Sequence, residues 1–522
     1  MRIIKATKFA ILDNMLAKID SFLDRITMYR LVLSVLGIIL VVSVILSFFG
    51  VLSFSPRDLL FSFLVFTTAS WITNFLCGAA LKIPTNFEST FITALILTLI
   101  VNPPIGGQYL SSLPAFALIA LVATLSKYVL VWNKRHTFNP AAFGVVFAYF
   151  AIGWGTSWWV GNPYLTIPVL IGGILILRKL KQFHLILGFL ASFVLGSILI
   201  IGNIADIKES LVYSFTASYL LFFLTIMLTE PLTMPTTRKK RILYGAFVGF
   251  LFIPELRLGS IVLGPELALL IGNLFSYLVS PGERYILKLK EKLKREEGIY
   301  DFIFKSNKKI NHKPGQYLEW TIGDSLPDNR GNRRYFTIAS SPTESDILLG
   351  ARFYSNPSSF KRKLESFQTG DEVVAGKLSG EFVMPSDPSI KLAFIAGGIG
   401  ITPFRSMIKY LLDTNERRGI VLIYSNNLEK EIAYKDILNE AESKLGIKTF
   451  YTLTGKASIP EGWYGLIGFV DKEVIIREIP DYLERVFYIS GSHNMVTAFQ
   501  KLLKELDVPT KNVKTDFFPG LV

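Results

Sequence analysis

Several short segments in the last 230 or so residues hold residue types suited to binding a redox cofactor. The first is Arg334-Tyr335-Phe336-Thr337-Ile338-Ala339-Ser340-Ser341-Pro342. Alternate residues of a strand share a face, so Arg334 and Phe336 fall together while Thr337 points to the other side. A guanidinium suits a pyrophosphate. An aromatic ring can stack on an isoalloxazine, and a hydroxyl or amide can reach the reactive flavin nitrogen. About twenty residues on, Asn356-Pro357-Ser358-Ser359-Phe360-Lys361 turns into a helix, whose free amides attract anions. A tight turn follows at Gly376-Lys377-Leu378-Ser379-Gly380-Glu381-Phe382. Next, the apolar residues 392–396 run directly into Gly397-Gly398-Ile399-Gly400-Ile401-Thr402-Pro403-Phe404 and a helical 405–412. Glycines between a strand and a helix let a dinucleotide approach the backbone closely. A third candidate loop, Gly491-Ser492-His493-Asn494-Met495, ends another apolar run, and the chain closes with Asp516-Phe517-Phe518-Pro519-Gly520. His493 reads as a loop residue, because hydride transfer needs alignment more than acid–base groups.

These segments require particular elements to hold them. Residues 297–386 alternate short strands and turns, which predicts a small antiparallel β-barrel domain. Residues 387–522 alternate strand and helix, which predicts an α/β domain with a parallel sheet. Residues 281–296 carry Lys and Glu at helical spacing and read as a linker helix. Before them, residues 30–280 are dominated by apolar runs, and the mean hydropathy of the whole chain is +0.42. The fold class expected is therefore a polytopic α-helical membrane domain followed by the barrel and the parallel-sheet domain. Residues 1–29 interrupt apolar positions with Lys5, Lys8, Lys18 and Arg25, which fits an amphipathic helix on the membrane surface rather than a signal peptide.

Ten spans are expected, near 30–50, 57–79, 87–101, 113–133, 138–155, 163–177, 183–202, 211–228, 241–254 and 260–280. With the N-terminus inside, the inner loops carry Lys82, Lys134, Arg135, Arg178, Lys179, Lys181, Arg238, Lys239, Lys240 and Arg241, and the outer loops only Arg57, Lys208 and Arg257. That asymmetry is positive-inside. It places the C-terminal domains in the cytoplasm and the chain in the cytoplasmic membrane, as a multi-pass protein. The net charge of +14 is thus explained by the lipid bilayer, and no nucleic-acid partner is implied. The single cysteine, Cys77, cannot supply the thiolates of an ordinary iron–sulfur cluster, and no metal site is expected.

Polar residues interrupt the apolar runs at Asn86, Ser89, Thr93, Asn139, Pro140, Thr229 and Glu230. Polar groups are costly in lipid and need partners, so these positions predict a pocket for a polar, planar cofactor or an ion. A weak repeat aligns residues 97–104 with 224–231, and Phe138-Asn139-Pro140-Ala141 with Leu263-Gly264-Pro265-Glu266. Five spans per copy would make the repeat inverted. The segments around Asn86 to Leu95, Thr137-Phe138-Asn139-Pro140-Ala141-Ala142 and Leu228-Thr229-Glu230-Pro231 resemble the B subunit of the sodium-translocating NADH:quinone reductase and the D subunit of the Rnf complex. The resemblance implies a flavin-carrying membrane domain. Members of that family attach FMN to a Thr within a Ser-Gly-Ala-Thr type motif. Here the corresponding outer stretch reads Gly155-Thr156-Ser157-Trp158-Trp159, so the resemblance extends only to a non-covalent FMN or riboflavin.

The ordered segments of the C-terminal half resemble the ferredoxin–NADP reductase superfamily over about 297–520. The resemblance implies an NAD(P)H-dependent, FAD-containing oxidoreductase. FAD would be held by Arg334, Tyr335, Phe336, Thr337, Ser358, Ser359 and Gly380. NADH or NADPH would be held by Gly397, Gly398, Gly400, Thr402, Pro403, Gly491, Ser492 and Met495, with Phe517 at the flavin face. Thr337, Thr402 and Phe518 are the residues expected nearest the chemistry. Ser425-Asn426-Asn427-Leu428-Glu429 lacks an Arg for a 2′-phosphate, which leans towards NADH. With no cluster between the halves, electrons are expected to enter or cross the membrane, to a quinone or flavin acceptor or to an extracytoplasmic electron-accepting protein. The competing expectation is a redox-linked ion or small-molecule transporter. A mere anchor is disfavoured, since many polar-interrupted spans are costly.

Overall fold

The computed structural model describes residues 15, 18–20, 22–23, 26–81, 87–132, 135–201, 206–209, 212, 214, 219–259, 261–280, 284–323, 332–355, 357–455 and 459–517. It divides into two compact units, Met1–Gly282 and Glu283–Val522.

The first unit is helical, as apolar runs in lipid must be, because an α-helix satisfies its own backbone polar groups. Among the described residues its helices, in chain order, are α1 (Met28–Phe48), α2 (Pro56–Leu81), α3 (Phe87–Ile100), α4 (Tyr109–Val129), α5 (Pro140–Ile152), α6 (Thr166–Leu180), α7 (Phe183–Ile201), α8 (Tyr219–Phe222), α9 (Arg238–Leu251) and α10 (Pro265–Val279). Among the described residues, five segments are long and apolar enough to cross a membrane: α1, α2, α4, Pro163–Leu180 and α7. The apolar helices α3, α5 and α10 are shorter. Each of the ten expected spans thus holds a helical segment, but length alone qualifies only half of them. The expected surface helix over 1–29 lies almost wholly outside the described residues.

Small residues let the helices close on each other. A side chain at Gly245 or Gly249 of α9 would strike the carbonyls of Leu185 and Phe189 on α7, the close backbone approach typical of membrane helix pairs. One order of elements occurs twice. A two-residue-strand hairpin, β1 (Val131–Trp132) with β2 (Arg135–His136), leads into α5, which has Pro140 in its first turn. A second hairpin, β3 (Arg257–Leu258) with β4 (Ile261–Val262), leads into α10, with Pro265 in its first turn. Proline is favoured there because its missing N–H would have no helical partner anyway.

The second unit opens with β5 (Arg284–Glu296). This corrects the expected linker helix over 281–296. Tyr285, Leu287 and Leu289 are buried at every second position, a period of two that belongs to a strand. The Lys and Glu residues between them occupy its outer face. β5 pairs antiparallel with β6 (Ile299–Ser306) and β10 (Glu372–Ser379). With β7 (Tyr317–Thr321), β8 (Arg333–Thr337) and β9 (Ile347–Arg352) they form one antiparallel sheet in the order β8-β7-β10-β5-β6-β9. No ladder joins β8 to β9 among the described residues. The sheet encloses a core of Leu287, Leu289, Phe302, Phe304, Leu318 and Trp320. A short helix, α11 (Ser359–Glu365), packs Phe360 and Leu364 into it.

The rest of the unit is a parallel sheet in the order β14-β13-β12-β11-β15-β16. Its strands are β11 (Leu392–Gly397), β12 (Ile420–Asn426), β13 (Lys448–Leu453), β14 (Leu466–Ile467), β15 (Val486–Gly491) and β16 (Val513–Phe517), with helices α12 (Thr402–Thr414), α13 (Lys435–Leu445), α14 (Lys472–Glu478) and α15 (His493–Glu505). Strands β11 and β12 read as continuous apolar runs because both of their faces are covered. After β11 the chain builds the sheet outward in one direction and then returns to lay β15 on the other side of β11. Ligands of open α/β sheets bind at such a switch point, beyond the carboxyl ends of the strands.

Candidate functional site

The loops at that switch point are the predicted glycine segments. Gly397 ends β11 and Gly491 ends β15. Gly398 has φ +52°, a left-handed conformation that favours glycine. A Cβ on Gly400 would fall on the Ser490 carbonyl, and one on Gly397 would meet the Met495 sulfur. The two loops therefore touch across a bare backbone surface. Thr402 is buried, and its hydroxyl donates to the Ile399 carbonyl at 3.1 Å, bracing the loop. Pro403 sits in the first turn of α12. Ser492 caps α15, accepting from the Met495 amide. Register places the Phe517 backbone beside Gly491. Phe518 lies outside the described residues.

On the antiparallel sheet, Arg334 and Phe336 share a face of β8 and both meet the Phe360 ring, the guanidinium 5.5 Å from its centroid and the Phe336 ring 5.6 Å away. Ser358 caps α11 through the Lys361 amide, and Ser359 is buried next to it. Arg334, Phe336, Ser358 and Ser359 are thus brought together. Tyr335 is not: it lies on the opposite face, half exposed, against the Tyr317 ring and the Glu319 carboxylate. Thr337 is buried, and its Oγ1 has no hydrogen-bond partner. An orphaned buried hydroxyl is costly unless a ligand completes it. With Arg334 seated on Phe360, it makes the site fit a flavin with a pyrophosphate tail. Gly380 follows β10 with φ +119°.

Several residues that hold the two sheets together escaped the sequence reading. Asp301 is fully buried in β6, accepting from Arg295 Nε and from Tyr434 OH, each at 2.6 Å. Burial, reinforced by the Asp301 carboxylate, pushes the Tyr434 phenol well above its usual range. Arg405 of α12 donates to the Ala339 carbonyl at 3.0 Å and pairs with Glu344. Arg352, at the end of β9, pairs with the buried Glu431 and sits beside Gly398. An aspartate inside the apolar strand of residues 299–304 was the available signal.

In the first unit, six of the seven predicted polar positions line one cavity: Ser89, Thr93, Asn139, Pro140, Thr229 and Glu230. Asn86 lies outside the described residues. Ile92, Ile96, Ile176 and Ile226 supply apolar walls. Small-molecule sites commonly mix apolar walls with a few convergent polar groups in this way. The Thr93 and Thr229 hydroxyls return to carbonyls four residues back. The carboxylate of Glu230 accepts from Asn139 Nδ2 at 2.9 Å and faces His136 Nε2 at 3.2 Å. The Asn139 amide donates to Asn273 Oδ1 at 2.8 Å, and Asn273 Nδ2 donates to Tyr244 OH at 3.1 Å. Just before this turn, residues Phe223–Met227 form a π-helix, a local distortion common at functional sites. Elsewhere in the unit the buried Glu266 accepts from Trp158 Nε1 at 2.7 Å and from Thr156. The described residues hold no cluster able to bind a metal ion.

Fold and site together define a chain in two parts: an apolar helical unit with a polar cavity, then a reductase-type unit with a flavin-fitting sheet and a dinucleotide loop. Comparison with known proteins agrees with both parts. Residues 160–284 match the NQR2, RnfD, RnfE family, and residues 394–501 match the oxidoreductase NAD-binding domain. The glycine betaine monooxygenase reductase subunit of Pseudomonas aeruginosa is 26% identical over 234 residues, covering 42% of this chain and 60% of that protein. One subunit of the Na(+)-translocating NADH-quinone reductase of Yersinia pestis is 26% identical over 200 residues, covering 36% of this chain and 49% of that one. Among solved structures, the Amycolatopsis cytochrome P450 reductase aligns with a TM-score of 0.41 at 18% identity, over 45% of this chain and 70% of that one. The chain thus spans about half to three-fifths of the length of these two curated relatives.

Proposed function

We propose that this protein is a membrane-bound NAD(P)H-dependent flavoprotein oxidoreductase that passes electrons from cytoplasmic nicotinamide through FAD into or across the membrane. The observation that carries this reading is the co-occurrence, in one chain, of a dinucleotide loop at a sheet switch point and a polar cavity inside an apolar helical unit. FAD, when bound, would accept hydride and release electrons singly. Arg334 would hold its pyrophosphate, Phe336 would pack along it, Ser358 and Ser359 would meet its phosphates, and Thr337 would complete its hydroxyl bond to it. Gly397, Gly398, Gly400 and Gly491 would admit the nicotinamide dinucleotide, with Thr402 holding the loop in shape. Phe517 and Phe518 would screen the flavin face.

The cavity around Asn139, Thr229 and Glu230 would receive the electrons through a planar carbonyl-bearing acceptor, a non-covalent flavin or a quinone. Ten spans, a cytoplasmic reductase and an inverted repeat complete the reading. The twice-repeated order of hairpin and proline-led helix supports the repeat. Native extraction of the purified protein tests the proposal: a second flavin besides FAD, or bound quinone, is expected, and FAD alone would count heavily against a membrane relay.

The same repeat favours a second reading, a redox-linked ion or small-molecule transporter, since inverted repeats place binding sites at their interface. Turnover in proteoliposomes that depends on sodium would support it, and turnover indifferent to sodium and to ionophores would remove it.

A further inference from the structure

The cavity has a feature that holding a flat acceptor does not require. Glu230 lines it, while His136 does not. His136 stands behind the carboxylate, on hairpin strand β2, with its side chain only 12% exposed. Three donors converge on Glu230: His136 Nε2 on one oxygen, Asn139 Nδ2 and the more distant Thr233 hydroxyl on the other. The Asn139 amide and the Thr233 hydroxyl keep their donor roles in either protonation state. The His136–Glu230 contact alone can hold a proton on either partner in one geometry, as imidazolium with carboxylate or as imidazole with carboxylic acid. Ionisable groups within membrane segments are costly and, where present, commonly mark proton or ion pathways.

We propose that His136 and Glu230 form the proton port of this cavity. His136 collects protons on the hairpin side, and Glu230 hands them to the carbonyl-bearing acceptor as it is reduced. This rests on the cavity being the electron-accepting site. With a quinone the balance is NADH + H⁺ + Q → NAD⁺ + QH₂. The electrons come from the nicotinamide, whose C–H bond breaks. Each quinone C=O becomes C–OH with a proton that arrives through Glu230, while the hydrogen of the broken nicotinamide C–H bond is released as a proton, so that one proton is taken up net. Other charged groups facing this region, among the described side chains, are bonded elsewhere. Lys127 of α4 donates to the carbonyl and hydroxyl of Ser89 at 2.9 and 3.2 Å. Arg30 of α1 pairs with Glu88 of α3 at 3.0 Å. On α9, Arg241 donates to the Pro235 and Thr236 carbonyls and Lys240 to that of Val279.

Stopped-flow of the purified full-length chain, with NADH and a short-chain ubiquinone, separates the two halves. FAD bleaching reports the reductase, and quinol formation reports the cavity. In Glu230→Gln and His136→Gln, FAD should bleach at the wild-type rate. Quinol formation should slow by roughly 10²-fold, the scale of a lost proton donor. Glu230→Asp should restore part of the rate. Wild-type quinol rates in both Gln variants would overturn the proposal. Should Glu230→Gln fail to fold, His136→Gln decides alone. If the wild-type protein bleaches FAD but forms no quinol and holds no second flavin, the cavity reading itself fails and takes the port with it.

Discussion

The two halves build their sites in opposite ways. In the reductase unit the site is made of contiguous segments: Gly397–Thr402 is one loop, Gly491–Met495 another, and Arg334–Thr337 one strand end. In the helical unit the cavity is gathered from Ser89 and Thr93 on α3, Asn139 and Pro140 at the head of α5, and Thr229 and Glu230 after the π-helix. A loop at the end of a sheet can carry chemistry in consecutive residues, because the strands below fix its backbone. A membrane helix can offer only one or two inward positions per turn, so its site must be scattered.

The most damaging change should be Gly400→Val. Its side chain would collide with the Ser490 backbone and part the two loops. Reduction of FAD by NADH should fall by roughly 10²-fold or more, since misplacement of about 1 Å costs that much. FAD content should be unchanged, as measured by absorbance and rapid kinetics. Gly249→Leu is its counterpart in the helical unit, where the glycine serves packing rather than a ligand. It should prevent α9 from closing on Phe189 of α7 and remove the folded, monodisperse protein in gel filtration. If Gly249→Leu stays monodisperse and active, the close helix crossing is not needed.

Arg334→Ala should weaken FAD binding by about 1.5–3 kcal/mol, the usual value of a hydrogen bond to a charged group, read as flavin lost on dilution. A small pH effect sharpens the contrast further. Burial, outweighing its contacts with the Ser340 and Ile310 carbonyls, holds the His312 imidazole below its ordinary 6.5. Below about that pH the unfolded chain takes up a proton that the folded chain refuses, so stability falls as pH drops. Thermal unfolding followed by flavin fluorescence should shift slightly downward from pH 7.5 to pH 5.5, and His312→Gln should flatten that slope.

This contrast also explains what could be read from the residues alone. The strand–glycine loop–helix of 392–412 was legible because its spacing is local and its geometry depends on residue type. The polar cavity was legible because any polar residue in an apolar run stands out, although the partnership of Asn139 with Glu230 across ninety-one positions was not. The strand β5 was misread because Lys and Glu on its open face mimic a helical charge pattern, while Tyr285, Leu287 and Leu289 carried the true period. The clamp of Asp301, Arg295 and Tyr434 was invisible for another reason. It is formed by tertiary contacts, and the Asp301–Tyr434 bond spans 133 positions.

The proposed function stands on electron transfer from the glycine loops to an acceptor in the cavity. Anaerobic reduction of the intact protein by limiting NADH tests it most directly when wild type is compared with the cavity-filling variant Thr229→Trp. The wild type should reduce FAD and then a second acceptor, either bound flavin or added short-chain ubiquinone. Thr229→Trp should reduce FAD at the same rate and stop there. Equal reduction of the second acceptor by both proteins would contradict it.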